Sequence, residues 1–254
     1  MRHSTSRKSK DRDWVFQIFV ALFWVGIWQV ASMGVGQAIV LPSPWQAVHR
    51  LCELLGEPAF YGAVFGSLGR ILFGFMLALS VGVLLAAASG IWRHVRLTLQ
   101  LPMAAISATP IASFAILALV LIGKRNLSVV IAFLMALPVI YLNVLKGIDA
   151  ADGKLLEMAD VFKVGFARRV RAIYVPAARP YLLSASQIAL GMCWKSGLAA
   201  EVIGQPDGSI GDALYRAKIF METDAVFAWT IAIVILSIAL ERIVTRVIRR
   251  IGHD

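Results

Sequence analysis

EMADVFKVGFARRVRAIYVP, residues 157–176, is a charged stretch set between two strongly apolar ones. Its first part has a helical pattern. Leu155, Met158, Ala159 and Phe162 recur at i, i+3, i+4, i+7 and share one face of a helix over 154–164. Lys154, Glu157, Asp160 and Lys163 make the polar side. A helix resting on lipid carries a strongly cationic polar face, and this one is mixed in sign, so a groove on a soluble protein is the better host.

Outward from this stretch the chain is a membrane protein. Of 254 residues, 59% are hydrophobic and 16% charged, and the mean hydropathy is +0.76, far above the soluble range. Apolar windows long enough to cross the hydrocarbon core as helices fall at 14–33, 69–90, 102–123, 127–145, 181–204 and 226–248. Six spans are expected, in an all-α polytopic fold. Lys124-Arg125-Asn126 alone separates the third and fourth, which predicts a tight helical hairpin. The organisation is a cytoplasmic N-terminal tail over 1–13 and one transmembrane domain over 14–250, with a cytoplasmic loop at about 146–180. The first window exceeds a signal-peptide core of about 7–15 residues and is read as an uncleaved span.

The net charge of +10 reports orientation rather than nucleic-acid binding. With the N-terminus in the cytoplasm, most Lys and Arg fall on that side, as the positive-inside rule requires, and six spans return the C-terminus there. Cys52 and Cys193 have no metal-ligand spacing, and no metal site is expected. His3, His49, His94 and His253 lie outside the windows, and no carboxylate pair sits within one, which argues against an intramembrane protease. There is no Gly-x4-Gly-Lys-Ser/Thr phosphate loop, so the chain supplies no ATPase of its own.

Several residues inside the spans stand out. Gly74, Ala78, Gly82, Ala86 and Gly90, with Arg70 one turn before them, form a small-residue stripe that lets helix backbones approach closely. Pro110 and Pro138 are expected to kink the third and fourth spans. Lys195 and Glu201 are six residues apart, about 240° around a helix, so no mutual ion pair is expected. A mid-depth Lys195 either faces a water-filled interior, pairs with another helix, or snorkels. Glu201 lies near a membrane boundary, where it either lines that interior or is solvated. A short helix is expected over 210–220, with Ile210, Leu214 and Ile219 inward and Asp212, Arg216 and Lys218 outward.

The nineteen-residue separation of Glu157 and Pro176 resembles the "EAA" loop of ABC importer permeases. Leu41-Pro-Ser-Pro44, Ser67, Arg70, Gly74-Phe75, Pro138, Asn143, Trp194 and Ala200-Glu201 occur in that family's order. Together they resemble the permeases for sulfonates, taurine, nitrate and thiamine-precursor pyrimidines. Two positions depart from the pattern. Met158 replaces an Ala, and Lys163 stands where the family has a turn-forming Gly, the nearest Gly being Gly165. The turn is therefore expected either to shift to Gly165 or to be made differently.

The resemblance implies a type I importer permease with a cytoplasmic coupling helix, and two copies forming the path. Glu157, Met158, Ala159, Phe162, Lys163, Gly165 and Pro176 would belong to the coupling site for ABC ATPase subunits, with Phe162 and Met158 as apolar anchors. ATP and Mg would be used by those ATPases, with no cofactor on this chain. An external binding protein would deliver a small organic or anionic solute along a path placed near Lys195, Glu201, Pro110 and Pro138. The location is the bacterial inner membrane. The alternative is a secondary transporter working alone on an ion gradient.

Overall fold

The computed structural model describes residues 5–252, which are helical throughout apart from short connections. The order is α1 (Thr5–Val35), α2 (Pro44–Leu55), α3 (Pro58–Ile91), α4 (Arg93–Ala108), α5 (Ile111–Ile122), α6 (Leu127–Asp149), α7 (Gly153–Val161), α8 (Phe166–Arg169), a π-helical turn (Val170–Tyr174), α9 (Val175–Gly204), α10 (Ile210–Ile219) and α11 (Thr223–Gly252). The segment 5–13, expected as a separate tail, is already part of α1. Residues 1–4 of that tail lie outside the described residues.

The six expected spans are distributed differently among these helices. Phe16–Val35, Pro58–Ile91, Leu127–Asp149 and Thr223–Arg246 are each long and apolar enough to cross a membrane. The window 102–123 is two helices, α4 and α5, bent by 105°. Pro110 breaks the helix here rather than kinking it. It has no N–H to continue the ladder, and it holds the preceding Thr109 extended, at φ −82° and ψ 131°. Pro138, by contrast, lies inside an unbroken and well-buried α6. The fifth window is α9, whose 30 residues suffice in length. It falls outside the apolar set because it carries Ser184, Ser186, Gln187, Lys195, Ser196 and Glu201. Of these, Ser196 and Glu201 are buried against protein.

Two compact units divide the chain. The first comprises Met1–Phe60 with Arg216–Ala232. Here Pro44 opens α2 behind a capping box: Gln46 N–H donates to Ser43 Oγ at 3.3 Å, and Ser43 N–H to Gln46 Oε1 at 2.8 Å. Trp28 Nε1 donates to the Pro42 carbonyl at 3.0 Å, and Ser32 Oγ to that of Leu41 at 2.9 Å. The Leu41-Pro-Ser-Pro44 turn is thereby fastened to α1. Trp28 stacks on Phe227, and Phe60 on Trp229.

The second unit comprises Tyr61–Tyr215 with Ile233–Asp254 and is built on α3, α6 and α9. The small-residue stripe of α3 meets α6. A Cβ on Gly74 would lie 2.4 Å from the Val129 carbonyl oxygen, and one on Gly82 would lie 2.9 Å from Ile140 Cγ2. Ala78 and Ala86 are fully buried between them. A hydroxyl pair, Ser89 with Tyr141 at 3.0 Å, adds a polar tie. On the other side of α6, Cys193 Sγ on α9 contacts the Ala132 carbonyl at 3.2 Å. Ile71 of α3 fills the notch at Gly197 of α9.

Gly74→Val is expected to lower stability in detergent by about 1–3 kcal/mol, the cost of overpacking against a backbone that cannot retreat. Thermal unfolding of the purified protein measures it. An unchanged midpoint would contradict the α3–α6 contact.

Candidate functional site

The charged stretch folds into a stiff helix-turn-helix. Asp152 caps α7, its carboxylate accepting the Lys154 N–H at 2.9 Å. The helix stops at Val161, earlier than the 154–164 pattern suggests, because the chain turns immediately afterwards. Val164 N–H donates to the Ala159 carbonyl at 2.9 Å, and Lys163 N–H to that of Asp160 at 3.1 Å. These 6→1 and 5→2 bonds are a Schellman motif, which needs a left-handed residue at its fifth position. That residue is Lys163, with φ 49°. The turn has therefore not moved to Gly165, which is extended (φ −63°, ψ 151°) and precedes α8. A left-handed lysine costs roughly 1–2 kcal/mol relative to the right-handed region.

Arg169 offsets that strain. Its Nε donates to the Val164 carbonyl at 2.7 Å and its Nη2 to that of Ala159 at 3.2 Å. Nη1 completes an ion pair with Asp160. One guanidinium thus clamps both sides of the turn. The sequence reading missed Arg169, since nothing in the pattern separates it from the exposed Arg168 beside it.

Ala159 is only 3% exposed and faces into the protein. It supports the turn through its carbonyl and is not on the outer surface, contrary to its expected place in a docking face. The adjoining, uncovered part of the apolar face carries Leu155, Met158, Val161 and Phe162, with Val161 78% and Phe162 73% exposed. Phe166 is exposed just beyond the turn. Met158 and Phe162 stand where expected, whereas Val161 and Phe166 were not anticipated. Glu157 is exposed beside them and pairs with none of the described residues.

Pro176 lies at the start of α9, immediately after the π-helical turn. A widened turn makes room for a ring that would otherwise strike the carbonyl four residues back. Helical structure therefore runs from Phe166 to Gly204, and within 146–180 the non-helical residues are confined to the neighbourhoods of 150–152 and 162–165.

A second cluster lies in the core. Glu201 is 0% exposed. Its Oε1 accepts from Arg70 Nε at 3.1 Å and Nη2 at 3.0 Å, and its Oε2 from Ser67 Oγ at 2.5 Å. The Gly211 N–H approaches Oε2 at 3.5 Å, and the Ile210 N–H donates to Ser67 Oγ at 3.0 Å. A carboxylate from α9, a guanidinium and hydroxyl from α3, and the unsatisfied amides that open α10 complete one another. There is no space for a side chain at Gly211, where a Cβ would lie 2.3 Å from the Glu201 carbonyl carbon. Glu201 is thus neither solvated nor on an open surface of the protomer, but joins three elements. Asp212 is buried too and Ile219 exposed, reversing the orientation expected of both in α10.

Lys195 points the other way, as the 240° separation implies. It is exposed and makes no hydrogen bond or ion pair with the described residues. Pairing with a neighbouring helix of the same protomer is therefore not observed. Pro110 sits at the α4–α5 bend and Pro138 in the core of α6, whereas Lys195 is exposed on α9.

Comparison with known proteins adds a family. The family described as binding-protein-dependent transport system inner membrane component matches residues 78–253. A Bacillus subtilis (strain 168) permease protein named for aliphatic sulfonates transport, SsuC, is 28% identical, covering 86% of this chain and 80% of its own. The taurine transport system permease protein TauC of Escherichia coli (strain K12) is 25% identical over 84% of this chain and 80% of its own. Among solved structures, a bacterial ABC transporter involved in the import of the acidic polysaccharide alginate shares the fold. Its TM-score is 0.64, at 17% identity, over 96% of this chain and 98% of that one.

Two outcomes follow from this geometry. Arg70→Met or Glu201→Met alone is expected to cost about 3–5 kcal/mol, since each strands a buried partner, while the double substitution costs less than their sum. Thermal unfolding of the four proteins tests this, and additive losses would contradict the pairing. Lys163→Gly is expected to relieve about 1 kcal/mol at the left-handed position. Slower amide exchange across 159–164 would register it; faster exchange would contradict the assignment.

Proposed function

The chain belongs to the binding-protein-dependent transport system inner membrane components and is a permease subunit of an ABC importer, and from that premise we propose that α7 is where a separate ATPase takes hold of it. The observation that carries this reading is the exposed apolar face of Met158, Val161 and Phe162, backed by the Arg169-clamped turn. Apolar side chains this exposed on a structured element mark an interaction surface. The mixed charges of Glu157, Asp160 and Lys163 around them suit a protein groove better than a lipid surface.

In this reading the chain lies in the inner membrane with both termini cytoplasmic, as the distribution of Lys and Arg favours. Two copies form the path, and each α7 enters one ATPase subunit. Met158 and Phe162 anchor it, Val161 and Phe166 widen the contact, and Glu157 meets a basic group of the groove. ATP with Mg is consumed in the partner. Closure of the ATPase pair drags α7, and the helical run from Phe166 to Gly204 carries the motion along α9. The Arg70–Glu201 contact then obliges α3 and the start of α10 to follow. An external binding protein supplies a small organic or anionic solute, in keeping with relatives named for sulfonates and taurine.

The test is co-expression with the ATPase encoded nearest to this chain, purification in detergent, and co-elution of wild type, Glu157→Lys and Phe162→Asp. Wild type is expected to carry the ATPase. Each variant is expected to lose at least about tenfold of it, the equivalent of about 1.4 kcal/mol of docking energy. Retention by both variants would contradict the assignment.

A further inference from the structure

We infer that Lys195 is the anion-recognising group of the path, so that this permease passes solutes bearing a negatively charged oxyanion such as a carboxylate or sulfonate. The inference rests on reading the chain as an importer permease and adds the class of its solute.

Ser184, Ile188, Met192, Lys195, Ala199 and Val202 are all exposed and lie along one line of α9. Spacings of four, four, three, four and three residues hold one face of a helix through five turns. Lys195 is nine residues before the end of α9 at Gly204, a depth of about 13 Å at 1.5 Å per residue. The hydrocarbon core is about 30 Å thick, so the ammonium lies near its middle. Side chains on a helix lean towards its N-terminus. Lys195 therefore leans away from the nearer end of α9, and the short route to an interface is closed to it.

A lysine at that depth faces water or protein rather than lipid. The carboxylates nearby do not neutralise it. Glu201 is engaged by Arg70 and Ser67 on the opposite side of the helix. Glu241 of α11 lies against Gly191, one turn towards the N-terminus, and forms no ion pair with Lys195. An exposed stripe whose only other polar member is Ser184, with one unpaired cation at its centre, is complementary to a passing anion, and a second copy would contribute the same group.

Thiol labelling tests this without knowing the solute. The protein is the complex with its ATPase, carrying Cys52→Ser to remove the exposed thiol; Cys193 is buried. Met192→Cys places a reactive group one turn from Lys195. The probes are a methanethiosulfonate bearing a sulfonate and one bearing a trimethylammonium. Both are expected to react, and the anionic-to-cationic rate ratio should fall on the order of tenfold in Lys195→Gln, from the Coulomb effect of one nearby charge on each probe. Lys195→Arg should preserve the ratio. No reaction at position 192 with or without ATP would overturn the inference, because the stripe would then be dry. An unchanged ratio in Lys195→Gln would overturn it as well, because Lys195 would then be neutralised. Failure of the ATPase to co-elute with a chain whose α7 is unaltered, with the charge preference intact, would instead overturn the coupling role of α7.

Discussion

A carboxylate sealed inside a membrane helix bundle must be neutralised where it stands, and Glu201 is sealed completely. Its neutralisation takes Arg70 and Ser67 from α3 and brings up the first amides of α10. That requirement sets the distance between α3 and α9 and the place where α10 begins. The glycines are its corollary. Gly211 lets the α10 backbone close over Glu201, and Gly197 lets Ile71 into α9 one turn below. Removing the charge pair would leave the register of α3 against α9 to apolar contacts such as Ile71 in the Gly197 notch.

At the other end of α9 the constraint is conformational. A Schellman turn at Lys163 would be easier with glycine, yet the chain places a lysine there and holds it with Arg169, which reaches both strands of the turn. The result is an α7 whose inner side is fixed through Ala159 while Met158, Val161 and Phe162 remain outside. In the proposed coupling role such an element matters, because a flexible loop would absorb a stroke that a clamped one passes to the helix it is built on.

Much of this was legible in the sequence. The α3 stripe, the tight connection at 124–126 and the amphipathic character of 154–164 are periodicities and local chemistry, and all appear in the fold. What escaped were contacts between residues far apart in the chain. Glu201 looks like a boundary acid until Arg70, 131 positions earlier, is found beside it. Arg169 is indistinguishable from its neighbour until the turn exists. Ala159 shares the helical spacing of the exposed anchors, but periodicity alone does not say which edge of an apolar face is covered. A sequence window also reads through the 105° bend at Pro110.

Cross-linking from Cys at position 161 to the co-expressed ATPase addresses the central claim most directly, since Val161 is the most exposed apolar residue of α7. In a Cys52→Ser background, a short bifunctional thiol–amine reagent should join Val161→Cys to the ATPase, while Leu117→Cys on the exposed face of α5 should give no such product. An ATPase adduct at 161 alone is the predicted result. No adduct at 161, or equal adducts at both positions, would contradict the account.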